Sequence, residues 1–511
     1  MNVLRLGLLL LWLAASGQLA RTEPAAPSDA TPPLAAQPAS GETKEQLNAR
    51  MAWWREGRFG MFIHWGIMSI PGRECWYMHE ARVTVDEYEK LVPQYNPTNY
   101  SAHDIVTLAK AAGQKYIIFV SKHHDGFSMW DSQVSDYNIM ATPFKRDIVK
   151  ELADECARQG MKFGLYYSIL DWHHPYARWQ HWPKYVEYMK GQLRELLTRY
   201  GPIAVLWFDG EWAEEWTDQQ GRELYGYVRS LQPNIIINNR IGKGRQDNLG
   251  QTKQGFFPGD FDTPEQQVPR KGWPGTDWES CMTINGSWSF RTNDTTHKTA
   301  GELVRMLADI ASKGGNFLLN IGPRPDGSII EEQRERLMAI GRWMKVNRES
   351  IYGTTGSPFP RRFAWGRCTT GSGRLYLHVF DWPGSGKLAL PGLKNALGKA
   401  WLLGDESRGP LGVSRPQGVV TVDLPATAPD PLDSVVVLEI EGKPEVEPSS
   451  EADGQSAGNR RVVSARDARG RRHGTEGNGP AHAGPPDQIQ TRSGGAGLAS
   501  GDVEAEETMT L

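Results

Sequence analysis

Cysteine is scarce. The 511-residue chain holds four, Cys75, Cys156, Cys281 and Cys368, and no two lie close in sequence. That spacing excludes a C-x-x-C zinc or redox site, and a chain of this length can bury a large core without a disulfide scaffold. Charge is nearly balanced, with a formal net of -3, so no global field draws the protein to nucleic acid or an anionic membrane surface. No apolar run after residue 20 is long enough to span a bilayer. No strand-like run leads into G-x-G-x-x-G, so the dinucleotide-binding fingerprint is missing. Aromatic residues are absent from 442–511, a stretch rich in Gly, Ala, Arg, Asp and Glu. Such a segment cannot bury enough apolar area to offset chain entropy, and residues 443–511 are expected to be a disordered tail.

What the chain does have is tryptophan, 19 in all, a residue suited to large cores and to sugar-stacking surfaces. Residues 1–20 read as a signal peptide: Arg5 supplies the positive start, and Leu6 to Ala15 form an apolar stretch too short to cross a bilayer. Residues 21–43 are rich in Ala, Pro and Ser and read as a linker. From Lys44 to about residue 350, strand-like runs alternate with amphipathic helices. The strands fall at 60–65, 116–121, 163–168, 204–209, 234–239, 278–284 and 316–321. Helices are expected at 147–159, 185–200, 220–231 and from 299, where Thr299 and Glu302 have capping-box spacing. This alternation predicts an α/β fold with a parallel sheet, a (β/α)8-like TIM-type barrel. Seven strands are legible; an eighth is ambiguous, and residues 241–277 are irregular. Residues 351–442 change to short strands separated by Pro and Gly, which predicts a small C-terminal antiparallel β-sandwich.

The chemistry gathers at strand ends. Ala204-Val-Leu-Trp-Phe-Asp-Gly210 is an apolar run closed by an acid. An acid there sits where the strand leaves the core, the rim on which barrel enzymes build their sites. Other strand ends carry Phe62-Ile-His-Trp-Gly66, Ser121-Lys-His-His-Asp-Gly126, Tyr166-Tyr-Ser168 and Asn238-Asn-Arg240. One polar strand end is a turn; five on one rim point to a site. Neighbouring histidines diverge on extended backbone, which weighs against His64, His123, His124 and Asp209 as a shared metal set. Neutral His, Tyr and Arg beside Trp faces suit a sugar better. A glycosidase needs two carboxyl groups. Asp209 suits the nucleophile; Glu265 and Glu279 compete for the acid/base, and Glu211 is also near in sequence.

Phe59-Gly-Met-Phe-Ile-His-Trp-Gly66, Lys122-His-His-Asp-Gly-Phe127, Phe163-Gly-Leu-Tyr-Tyr-Ser168, Leu206-Trp-Phe-Asp-Gly210 and Gly315-Asn-Phe-Leu-Leu-Asn-Ile-Gly-Pro323 together resemble the α-L-fucosidases of glycoside hydrolase family 29 over about residues 45–440. The resemblance implies retaining hydrolysis of terminal L-fucose through a covalent fucosyl-enzyme, without metal or cofactor. It implies Asp209 as nucleophile and Glu265 as acid/base, with Glu279 as the rival. It further implies sugar contacts from His64, His123, His124, Tyr167, Trp207 and Arg240, with Trp76 and Glu74 from the first loop. In many relatives that Glu directly precedes Trp-Tyr; here Cys75 intervenes, which puts the Glu74 contact in question. The implied partner is a fucosylated oligosaccharide or glycoconjugate, met in the secretory pathway, in a periplasmic, extracellular or lysosomal setting. A catalytically silent glycan-binding protein and a metal-dependent hydrolase are the alternatives; oligomeric state is not legible.

Overall fold

The computed structural model describes residues 41–246 and 249–448; the expected signal peptide, nearly all of the linker and most of the tail lie outside them. Seven parallel strands form the central sheet: β1 Phe59–Ile63, β2 Tyr116–Lys122, β3 Lys162–Ser168, β4 Val205–Asp209, β5 Ile236–Ile237, β6 Glu279–Thr283 and β7 Asn316–Ile321. Their order is β5-β4-β3-β2-β1-β7-β6, which leaves β5 and β6 as edges. The irregular segment closes that gap. Parallel bridges join Asn238 to Phe261, Asp262 to Trp278 and Glu265 to Cys281. Residues 261–265 thus stand as an eighth stave between β5 and β6. The eighth strand was ambiguous in sequence because Asp, Thr, Pro and Glu fill it where the other staves have apolar runs.

Period-two alternation sorts the strands into two layers. Phe62, Tyr116, Ile118, Val120, Tyr166, Val205, Trp207, Ile236, Phe261, Cys281 and Leu318 form one apolar cluster inside the barrel. Met61, Ile63, Ile117, Phe119, Leu165, Tyr167, Phe208 and Leu319 join the larger outer cluster with the helices. Each helix has a local reason to start. Asp147 caps Ile148–Gln159, and Thr217 and Thr299 make capping boxes for Asp218–Leu231 and Ala300–Ala311. The helix Lys44–Gly57 passes under the barrel, where Arg50 makes two 2.8 Å bonds to Asp260, at the base of the eighth stave. Tyr225 and the Ile237 amide also donate to Asp260.

Beyond the barrel, Gly366–Gly371, Arg374–Val379, Leu397–Leu402 and Ser434–Ile440 form one antiparallel sheet; Lys387–Leu390, Val413–Ser414 and Val420–Asp423 form another. The two enclose their own apolar cluster. Within the described residues past 442, the Lys394 amide donates to the Glu445 carbonyl and the Glu447 amide to the Gly392 carbonyl. All four cysteines are free and buried. Among the described residues no helix is long and apolar enough to cross a membrane.

Glu279 is the first residue of β6 and lies inside the barrel floor, fully buried. Tyr116 donates to its Oε2 and Trp207 Nε1 to its Oε1. Burial raises its pKa to about 7, since these bonds only partly offset the loss of water. Two outcomes follow. Asp260→Ala, which strips Arg50 of a buried partner, should lower the unfolding free energy by about 3 kcal/mol, read from urea midpoints. For Glu279 the folded state keeps a proton that the unfolded chain releases near pH 4.5. Its contribution to stability is therefore lost as pH rises from there through 7, by about 3 kcal/mol in total. Glu279→Gln should remove that decline, and parallel stability–pH curves for variant and wild type would refute a buried neutral Glu279.

Candidate active site

The upper end of the barrel opens into a pocket of about 440 Å³. Phe62 of β1, Tyr166 of β3, Trp207 and Asp209 of β4 and Cys281 of β6 reach it from the strands. On β4, Trp207 and Asp209 share the inner face, two residues apart. The chain turns outward at Gly210, whose φ of +82° favours glycine. A Cβ there would meet the Leu170 backbone nitrogen at 2.5 Å. On the eighth stave the same alternation points Phe261, Thr263 and Glu265 inward, and Glu265 lines the pocket.

Arg240 ties these parts together. Its Nη1 lies 2.7 Å from Asp209 Oδ1, its Nη2 2.7 Å from Glu265 Oε2, and its Nε donates to Thr263 at 3.0 Å. The guanidinium carbon sits 4.4 Å above the Trp207 ring. Burial alone would raise the Asp209 pKa, but the charge of Arg240, aided by that of Arg245, overrides it and holds the carboxyl at about 2. Tyr166 donates to Asp209 Oδ2 at 3.0 Å. Asp209 is therefore an oriented, ionised carboxylate at a pocket wall, sharing one cation with a second carboxylate.

The histidines are buried and neutral. Burial drives His64 down to about 3, His124 to about 4, and His123 well below its ordinary value. Their tautomers follow from their partners. Asn320 Nδ2 donates to the Trp288 carbonyl, so its Oδ1 faces His64 Nδ1 at 2.7 Å and accepts from it. Ser168 spends its hydroxyl proton on the Leu170 carbonyl and so accepts from His124 Nδ1 at 2.6 Å. In both rings the bare Nε2 is left as a hydrogen-bond acceptor. His124 Nε2 stands 3.8 Å from Asp209 Oδ2, behind the wall. His64 and His123 line the pocket itself, and His123 Nδ1 has no partner among the described residues. Among those residues no group of three or more His, Cys, Asp or Glu is arranged to hold an ion.

Besides His124, which lies behind the wall, three expected site residues are placed elsewhere. Tyr167 faces the helix layer, donating to Gln192 at 2.7 Å; its neighbour Tyr166 occupies the wall, a consequence of strand alternation. Glu279 lies one layer below, under Trp207, and does not line the pocket. Glu74 is turned into a latch: its Oε2 accepts from Ser287 Oγ at 2.6 Å and the Trp288 amide at 3.2 Å, while its Oε1 accepts from the Cys75 amide and thiol. The inserted Cys75 takes the wall position, and Trp76 lines the pocket beside it. Trp288 and Trp212 also line it and were not anticipated. Trp288, whose ring centroid is 4.9 Å from that of His64, follows the end of β6 and was findable by the strand-end rule.

A family model described as Alpha-L-fucosidase matches residues 30–349. The human plasma alpha-L-fucosidase is 34% identical over 423 residues, covering 75% of this chain and 88% of that protein. Among solved structures, alpha-L-fucosidase isoenzyme 1 from Paenibacillus thiaminolyticus is 37% identical, with a TM-score of 0.70 over 78% of this chain and all of that one. A Bacteroides thetaiotaomicron enzyme of glycoside hydrolase family 29, trapped as a covalent intermediate with 2-fluoro-fucosyl fluoride, is 28% identical, with a TM-score of 0.73 over 80% of this chain and 99% of its own. Sequence, fold and strand-end motifs agree, and the chain belongs to the α-L-fucosidases of glycoside hydrolase family 29.

Proposed function

We propose that this chain removes terminal α-linked L-fucose from glycans, with Asp209 as nucleophile and Glu265 as acid/base. The observation that carries the reading is the shared Arg240, which brings the two carboxylates onto one guanidinium at 2.7 Å each. A retaining glycosidase needs its two carboxyl groups only about 5–5.5 Å apart, too close for an intervening water. In the first step an Asp209 oxygen bonds the anomeric carbon while the bond to the leaving oxygen breaks, and Glu265 gives that oxygen a proton. In the second, Glu265 takes a proton from water as the water oxygen displaces Asp209. The bare Nε2 of His64 accepts a sugar hydroxyl. Trp207 and Tyr166, stacked 5.7 Å apart, offer faces to the ring and to its methyl group, and Trp76 closes one side.

Export through the 1–20 leader would deliver the enzyme to glycans of the secretory pathway. Asp209→Ala should lower kcat by about 10⁴-fold or more, and azide should restore turnover with the β-fucosyl azide as product. Glu265→Gln should cost about 10²–10⁴-fold on oligosaccharides, far less in forming the intermediate from fucosyl fluoride, and azide should then yield the α-fucosyl azide. Wild-type activity in the Asp209 variant, or β-azide from the Glu265 variant, would overturn the assignments.

A further inference from the structure

Two residues beyond the nucleophile, the chain places a third carboxylate on the pocket wall. Glu211 is 5% exposed, and its Oε1 is paired to Arg245 Nε at 2.5 Å. Its Oε2 is buried without a hydrogen-bond partner among the described residues. A buried carboxylate oxygen left unpaired costs on the order of 1–3 kcal/mol. Next to it Trp212 is 41% exposed, an outlier among the tryptophans of this barrel. Its ring lies nearly parallel to Trp76, with centroids 6.0 Å apart, and both line the same pocket. Along this stretch Trp207, Asp209 and Glu211 are buried, and Trp212 alone of the four opens to solvent. The fucose-sized depth is already walled by His64, His123, Tyr166 and Trp207. Glu211 and Trp212 continue the same wall beyond Asp209, and the exposed Trp212 ring marks its rim.

We propose that Glu211 and Trp212 form the binding site for a pyranose leaving group, Glu211 Oε2 accepting a hydrogen bond from a ring hydroxyl and Trp212 packing on the ring's C–H face. The proposal rests on the fucosidase reading above and narrows its substrate class to saccharides whose fucose is attached to another sugar ring. Arg245 fixes the carboxylate so that only one oxygen is offered. The Lys243 ammonium, drawn to the Ala213 carbonyl, holds the turn that carries Trp212.

The test compares two substrates. One is the best of a panel of fucosyl-galactose and fucosyl-N-acetylglucosamine disaccharides; the other is α-L-fucosyl fluoride, whose leaving group is a single atom. The readout is the ratio of kcat/KM for disaccharide to that for fluoride. Trp212→Ala, a change at an exposed side chain, and Glu211→Gln should each lower this ratio about tenfold or more, mostly through KM for the disaccharide. Ratios unmoved in both variants, including equal losses on both substrates, would overturn the subsite while leaving the fucosidase reading intact. A wild-type chain that releases fucose from neither substrate would overturn that reading and the subsite with it.

Discussion

Everything in the pocket depends on one buried cation. Two carboxylates cannot approach each other in a water-poor pocket unless an opposite charge stands between them. Arg240 supplies it in a form that Lys could not, because the planar fork offers separate donors to Asp209, Glu265 and Thr263 in fixed directions. Those three acceptors belong to β4 and the eighth stave, and Arg240 itself follows β5. The guanidinium therefore does structural and chemical work at once. It stitches the most irregular part of the barrel to β4, and the same contacts set the charge state of Asp209.

The eighth stave shows why such a stitch is needed. It has three isolated bridges where the other staves have continuous ladders, so little backbone pairing fixes its register. Side chains supply what the ladder lacks. Asp260 is clamped from below by Arg50, Tyr225 and the Ile237 amide. Asp262 accepts from Asn239 and Thr252 on the outer face, and Glu265 is held from above by Arg240. A one-residue slip would turn Glu265 out of the barrel and Asp262 in. The polar composition that hid this stave from a hydrophobicity reading is thus what holds it in place.

Legibility followed the same divide. All seven apolar strands were readable, because runs such as Tyr116–Val120 are buried on both faces and carry no competing signal. The helices Ala102–Ala111 and Glu331–Asn347 and the strand Gly366–Gly371 went unread. The last is an edge strand of Gly, Arg and Thr, whose β-structure comes from its partner rather than from propensity. At the site, strand ends located the rim but not the facing. Tyr166 and Tyr167 are alike in sequence, and only the inward position of Trp207 and Asp209, paired to Tyr166 and Ser168 across β3 and β4, decides between them. Trp212 and Cys75 lie on loops, where no periodicity exists to read.

Asp209 and Glu279 put the governing physics side by side. Both are buried carboxylates inside the same barrel, at most a few side chains apart, and burial pushes both upward. Asp209 nevertheless ends at about 2 and Glu279 at about 7. The difference is the company: Asp209 faces a guanidinium, while Glu279 is met by neutral donors such as Tyr116 and Trp207. A group near 7 resembles a general acid by number alone, yet the Trp207 ring and Cys281 separate Glu279 from the pocket. Its proton is kept because nothing there can balance the charge, and Trp207 is held by that same carboxyl from beneath. Glu265 lines the pocket and Glu279 does not, so access, and not acidity, is what separates the two carboxyl groups as candidates for the acid.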